Sequence, residues 1–249
     1  MKKTLTIILL GLTVLFSGSV AAQKHQSQLI PLDKSFDPTE DSHITRYHDS
    51  VRLLYNLYFN DVVAQALNDL GNEAPQGTLA NILTAALFQY GDALSHNLDG
   101  HPLDLAMLNF GGIREPITAG PITIGKLFSV LPFDNNTIVV IEIKGSELRK
   151  MFFNNLRKLE NVQPIQNAQI VYTNGAVESV TVGGKPIEDN RTYRMATINF
   201  IENGGDKILE NVETKNLITE TEPFRKRIID FFSNEEKLRG TKDNRVTIK

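Results

Sequence analysis

Two segments of the sequence combine residue types that suit a small-molecule binding site. In 109–114 (Asn-Phe-Gly-Gly-Ile-Arg), an apolar run ends in two glycines, whose backbone amides can approach a ligand closely because glycine has no Cβ. Arg114 then offers a planar fork of donors that suits a phosphate or paired hydroxyls. In 199–206, Phe200 precedes two glycines and Asp206. An aromatic ring can stack on a flat ring, and a carboxylate can accept hydrogen bonds from vicinal hydroxyls.

Phe133 supplies a further aromatic ring at the apparent end of another element. The residues alone leave a second interpretation open, in which the phenylalanines fill the core and the glycines only form turns.

The sequence has no catalytic machinery of its own that we can identify. Dinuclear metal hydrolysis needs clustered carboxylate, imidazole and amide ligands, and none of the 5 histidines is paired with another histidine. Asp-Gly-His at 99–101 stands alone before Pro102, so we interpret it as a loop. The absence of Cys excludes thiolate zinc sites and cysteine nucleophiles. We therefore expect no metal and no cofactor in this chain.

The first 22 residues have the pattern of a secretory signal peptide. Lys2 and Lys3 precede an apolar run over 5–16, and Val-Ala-Ala at 20–22 matches a cleavage site. The run is shorter than the ~20 residues that span a bilayer, so we expect cleavage after Ala22, no stable membrane anchor, and a periplasmic or secreted protein. The formal charge of −3 gives no electrostatic footprint for a nucleic-acid polymer.

Periodicity predicts a polar arm over 23–44 and one α+β domain of layered mixed sheet and helices over 45–249. Helical patterns begin the domain and strand patterns follow. The predicted helices are 45–71, 78–90, 116–132, 146–156 and 222–232. The predicted strands are 103–110, 137–143, 168–173, 177–182, 194–200 and 245–249. We interpret the apolar stripes of the first two helices as core packing. Asn174-Gly175 predicts a two-residue hairpin.

The chain also carries an ordered set of motifs that resembles a known family. These motifs are 108–114, 124–133, 140–148, 182–187, 193–197 and 200–206. Together they resemble the C-terminal, substrate-binding domain of the 5′-nucleotidase and UDP-sugar hydrolase family, over roughly residues 45 to 210. In that family an N-terminal metallophosphatase domain holds two metals and hydrolyses the phosphate ester. The C-terminal domain holds the nucleoside and rotates it into the active site.

The resemblance implies seven substrate-binding residues: Asn109, Gly111, Gly112, Arg114, Phe133, Phe200 and Asp206. The two phenylalanines would sandwich the base, and the asparagine and the two glycines would line the pocket. The arginine would reach the ribose or the phosphate, and the aspartate would bind the ribose hydroxyls.

Three departures from the family pattern matter. We expect the metallophosphatase domain to be absent, because the predicted signal peptide is followed directly by the predicted arm. The helix at 77–85 lacks the family's acid and arginine, and 204–208 reads Gly-Gly-Asp-Lys-Ile, so the loop there can differ. The preferred hypothesis is a free-standing nucleoside- or nucleotide-binding half of a split 5′-nucleotidase. It would act with a separate metallophosphatase chain that carries the divalent metals. The alternative is a non-catalytic periplasmic nucleoside-binding or scaffold module.

Overall fold

The computed structural model describes residues 42–249. The predicted signal peptide and all but the last three residues of the predicted arm lie outside the described residues. The helices are α1 Ser42–Phe59, α2 Thr78–Asp99, α3 Ile124–Val130, α4 Gly145–Lys150, α5 Asn199–Glu202 and α6 Phe224–Glu235. The strands are β1 Val62–Ala66, β2 Leu105–Met107, β3 Gly120–Thr123, β4 Thr137–Lys144, β5 Ile165–Gln166, β6 Ala168–Thr173, β7 Ala176–Val182, β8 Lys185–Pro186, β9 Thr192–Ile198, β10 Thr214–Pro223, β11 Lys237–Leu238 and β12 Val246–Ile248.

A mixed five-stranded sheet forms the centre of the domain, in the order β10-β4-β9-β2-β5. β2 and β9 run parallel, and the other neighbours are antiparallel. β4 is rich in β-branched residues, which favour strands, and its residues Ile138 to Ile141 are fully buried. The predicted strand at 137–143 and the α+β fold class are both confirmed.

Helix α2 packs its apolar stripe on β2, β4 and β9. Leu79, Leu83 and Leu87, which are spaced four residues apart, are fully buried. A Cβ on Gly91 would lie 2.4 Å from the Cβ of Ala196, so only glycine allows this close approach of the helix to β9. The core prediction for this stripe is confirmed, although the helix extends nine residues beyond the predicted end.

The second sheet has the order β12-β6-β7-β8, and the third has the order β11-β1-β3. β6 and β7 form the predicted hairpin. Asn174 and Gly175 both have positive φ, at 52° and 76°, as a two-residue turn of type I′ requires.

The prediction for the first helix is wrong in two respects. The helix ends at Phe59, and residues 62–66 form β1, which pairs with β3 and β11. Pairing with distant strands overrides the local helical spacing of this apolar run. The stripe of α1 is also not core, because Val51 and Leu57 are 47% and 64% exposed.

Other elements also differ from the predictions. The helix predicted over 116–132 begins only at Ile124, because Gly120–Thr123 forms β3 and pairs with β1. The strand predicted over 103–110 is shortened to Leu105–Met107.

The strand predicted over 194–200 ends at Ile198, so Phe200 lies in α5. β10 was not predicted, because half of its residues are exposed, none is buried, and it lacks a regular apolar alternation. It is one of the two edge strands of the central sheet.

Candidate functional site

Three loops meet at one edge of the central sheet. Because β2 and β9 are parallel neighbours, with Leu105 opposite Met195, their carboxyl ends lie at the same edge. β4 is antiparallel to β9 and begins at that edge, with Ile138 opposite Ile198. The sheet therefore brings together the loop after β2, the segment before β4 and the loop after β9.

These loops line a half-open cavity of about 760 Å³. All seven residues that the sequence predicts for the site line it: Asn109, Gly111, Gly112, Arg114, Phe133, Phe200 and Asp206. The structure thus places the whole predicted set around one space, although its residues come from positions almost 100 apart in the chain. Their role in binding substrate stays a prediction.

Asn109 forms part of the cavity wall and is only 5% exposed. Its Nδ2 donates a hydrogen bond to Oδ2 of Asp206 over 2.7 Å. Its Oδ1 is buried and has no hydrogen-bond partner among the described residues. A Cβ on Gly112 would lie 2.9 Å from this oxygen, so glycine there leaves room for the amide. Buried polar atoms are nearly always hydrogen-bonded, but this oxygen, which lies behind the cavity wall, is an acceptor that residues 42–249 leave unsatisfied.

The two predicted rings are similarly exposed, Phe133 by 45% and Phe200 by 43%. Phe200 lies on α5 and its ring covers the backbone of Gly205, where an added Cβ would come within 2.3 Å of a ring carbon. The turn that follows needs unusual backbone angles, with φ of 92° at Gly204 and 52° at Asp206. Half-exposed phenylalanine rings at a cavity are available for stacking.

Arg114 and Asp206 are the ionisable side chains among the described residues that line the cavity. The Arg114 side chain is exposed, and its Nη1 donates to the carbonyl oxygen of Gly111 over 3.0 Å. Its backbone N–H donates to the carbonyl oxygen of Val130 over 2.9 Å. One cation and one anion leave the formal charge of this lining near zero.

Sequence reasoning missed three asparagines at the site. The cavity is also lined by Asn199, Gly204 and Gly205, which the sequence indicated in the second predicted segment, and by Asn135, Asn136 and Asn203, which were not predicted. Asn199 joins two of the loops, because its Oδ1 accepts from the N–H of Thr137 over 3.1 Å and its Nδ2 donates to the carbonyl of Asn135 over 2.9 Å. The run Asp-Asn-Asn at 134–136, directly before a buried strand, was the available signal.

The described residues do not fit a dinuclear metal centre. Among residues 42–249, no three His, Asp or Glu side chains are arranged to hold a metal ion. The Asp99–His101 pair, with 3.1 Å between Oδ1 and Nδ1, lies at a helix end and not wholly in a loop, because Asp99 is the last residue of α2 and His101 follows its C-cap Gly100. Asp99 is engaged by Arg194, whose hydrogen bonds hold the pKa of this carboxyl well below its usual range. Over the same part of the chain, no helix has the length and apolar character needed to cross a membrane.

Comparisons with known proteins agree with the resemblance. The family described as "5′-nucleotidase, C-terminal domain" matches residues 62–212. Protein UshA of Yersinia enterocolitica is 36% identical over 134 residues, which are 53% of this chain and 22% of UshA. A 5′-nucleotidase of Vibrio cholerae is 32% identical over 108 residues, or 41% of this chain and 19% of that protein.

The crystal structure of a 5′-nucleotidase precursor from Thermus thermophilus superposes with a TM-score of 0.67 at 25% identity. The match covers 82% of this chain and 43% of that one. The chain spans about a fifth of the length of the two curated relatives. Since the matched family segment covers well over half of the chain and the fold agrees, the chain belongs to the family of 5′-nucleotidase C-terminal domains.

Proposed function

We propose that this domain binds a nucleoside or a 5′-nucleotide in the cavity at the sheet edge. It would present the ligand to a separate metallophosphatase that hydrolyses the phosphate ester, in nucleotide catabolism. The observation that carries the proposal is the pair of half-exposed rings, Phe133 and Phe200, which line one cavity together with Asp206. The rings would stack on the base, and the carboxylate would accept hydrogen bonds from the ribose hydroxyls.

The expected affinity is modest. Stacking is worth ~1–3 kcal/mol per base, and a hydrogen bond to a charged group adds ~1.5–3 kcal/mol. Association costs roughly 4–15 kcal/mol in lost freedom. At most, two stacks and one charged hydrogen bond contribute about 9 kcal/mol, and the smallest association cost leaves about 5 kcal/mol, which corresponds to a dissociation constant in the sub-millimolar range or weaker.

The proposal assigns the hydrolytic metals to a separate chain. Residues 42–249 bring no suitable ligand cluster together, whereas relatives named 5′-nucleotidase are much longer than the segment that matches. The signal-peptide pattern over 1–22 supports export, so we place the encounter in the periplasm or outside the cell.

Calorimetric titration of the purified chain with adenosine, AMP and a UDP-sugar tests ligand binding. Phe133→Ala and Phe200→Ala should each weaken adenosine binding by roughly 5- to 150-fold, the range that the loss of one stack predicts. Leu98→Ala is the matched control, because Leu98 is 44% exposed and lies outside the cavity. Wild-type affinity in both phenylalanine variants would contradict the proposal.

Co-purification tests the partner. A tagged chain isolated from its own cells should capture a metallophosphatase, and adding the chain to that enzyme should raise metal-dependent AMP hydrolysis. A chain that binds adenosine but neither captures nor activates such an enzyme would favour the alternative, a non-catalytic nucleoside-binding module. Robust metal-dependent turnover by the pure chain would contradict both.

A further inference from the structure

The segment that carries Phe133 follows α3 and belongs to no helix or strand. The helix ends at Val130, and Leu131 has φ −125° and ψ 74°, outside the helical region. Pro132, Phe133 and Asp134 are all exposed. The position of the ring therefore depends on what holds the backbone just before it.

Arg225, which is distant in the sequence, binds the backbone just before Phe133. It lies in the first turn of α6, is only 9% exposed, and its Nη1 donates to the carbonyl oxygen of Leu131 over 2.8 Å. The preceding carbonyl, that of Val130, accepts the N–H of Arg114 over 2.9 Å. Two consecutive carbonyls, two and three residues before Phe133, thus accept hydrogen bonds from two different parts of the chain, the loop at Arg114 and the start of α6.

The guanidinium is itself fixed by an aromatic ring. Its central carbon lies 3.8 Å from the ring centroid of Phe128 on α3, a cation–π contact. Phe128 packs edge-on against Phe59 of α1, with 4.7 Å between centroids. The same arginine therefore contacts the helix before the segment and the segment itself.

Arg225 does not form an ordinary ion pair. Among residues 42–249, no carboxylate oxygen lies within 4.0 Å of its guanidinium nitrogens. Burial lowers the pKa of Arg225, and Asp134, the neighbour of Phe133, opposes this effect. A buried arginine without a paired carboxylate carries a desolvation penalty. The hydrogen bond to Leu131 and the cation–π contact with Phe128 are the interactions that offset this penalty.

We propose that Arg225 is a positioning residue for the cavity, which holds the segment Leu131–Asp134 so that the ring of Phe133 stays in the cavity wall. Arg225 lies outside the segment 62–212 that matches the family. The consequence for ligand binding rests on the proposed function, whereas the placement of the ring does not.

The placement of the ring is tested first, without a ligand. 4-Fluorophenylalanine is introduced at position 133 or, as the matched control, at 200, and ¹⁹F spectra are recorded with Arg225 and with Arg225→Met. Methionine keeps apolar volume but removes the donors and the charge. We expect the resonance at 133 to shift and broaden while that at 200 is unchanged. An unchanged resonance at 133, or equal changes at both positions, would overturn the proposal.

Thermal melting of each variant shows that it is folded, and Arg225→Lys replaces Arg225→Met in the comparison if the latter does not fold. Lysine can still donate to Leu131 but cannot lie flat on Phe128. The resonance at position 133 should therefore still shift in this variant, and the resonance at 200 should be unchanged. Equal changes at both positions in this variant would again reject the positioning role.

A double-mutant cycle then tests the effect on binding. Arg225→Met should weaken adenosine binding about tenfold in the wild-type background. The loss should be less than about twofold in Phe133→Ala, because an arginine that acts through the ring has no effect once the ring is gone. Equal losses in both backgrounds would reject the proposal. Absence of adenosine binding by the wild-type chain would reject the proposed function alone, since the ¹⁹F comparison still decides the role of Arg225.

Discussion

Phe133 and Phe200 line the same cavity with almost equal exposure, but they are held in different ways. Phe200 lies on a short helix and packs on Gly205, five residues later. Phe133 follows a helix end whose carbonyl is bound by Arg225, 94 residues beyond Leu131 in the chain. The position of the Phe200 ring thus depends on contacts close in sequence, whereas the position of the Phe133 ring depends on a distant helix. Substitutions near Phe200 in the sequence should therefore displace its ring, and a substitution in α6 should displace the ring of Phe133.

The largest effect is expected from Gly205→Ala. The added Cβ would lie 2.3 Å from a ring carbon of Phe200 and within 2.6 Å of two others, so the ring must move. Displacing the ring also disturbs the turn that presents Asp206. We expect adenosine binding to fall by about 100-fold in calorimetry, near the upper end of what one stack contributes.

Gly111→Ala is the matched comparison at the opposite loop. Its Cβ would have a nearest neighbour at 3.4 Å, the Nδ2 of Asn109, which is ordinary contact. Its loss of affinity should be at least tenfold smaller than that of Gly205→Ala. Equal losses in the two variants would show that a methyl group anywhere in the cavity is harmful and that the packing of Phe200 on Gly205 is not special.

Asn109→Ala should have an intermediate effect, because it acts on neither ring. The change removes the donor to Oδ2 of Asp206 and the buried Oδ1 acceptor. We expect adenosine binding to weaken about tenfold, with a similar loss for AMP. Asn161→Ala, which removes an exposed asparagine outside the cavity, is the control in the same titration. Wild-type affinity in Asn109→Ala would mean that Asp206 needs no orienting partner.

Features set by short segments could be predicted from the sequence. The hairpin at Asn174-Gly175 follows from backbone preferences of two residues, and the strand at 137–143 from a β-branched run. Residue types indicated the segments 109–114 and 199–206 and Phe133, and the resemblance to a family assigned the seven residues a role. Their meeting at one sheet edge depends on the parallel pairing of β2 with β9, which short-range patterns do not specify.

Features set by distant contacts could not be predicted. The apolar residues of α1 and α2 have the same helical spacing. However, α2 packs on the central sheet, whereas Val51 and Leu57 of α1 are exposed. Periodicity identifies an apolar face but not its partner. In the same way, Arg225 is one of several charged residues at the start of a predicted helix. Only its hydrogen bond to Leu131 in the structure distinguishes it from the others.

The smallest effect is expected from Arg114→Gln, and it separates the nucleoside from the phosphate. Arg114 is exposed and already donates to Gly111, so its attraction for a phosphate is weakened by water and salt. We expect AMP binding to fall about threefold at low salt, adenosine binding to change by less than about twofold, and the difference to vanish near 1 M salt. Titrations of both ligands at two salt concentrations measure this directly. Equal losses for adenosine and AMP would mean that Arg114 acts on the ribose or through the carbonyl of Gly111. A salt-independent loss confined to AMP would mean that the loops enclose the phosphate away from water, so that this edge of the cavity binds charge as well as the base.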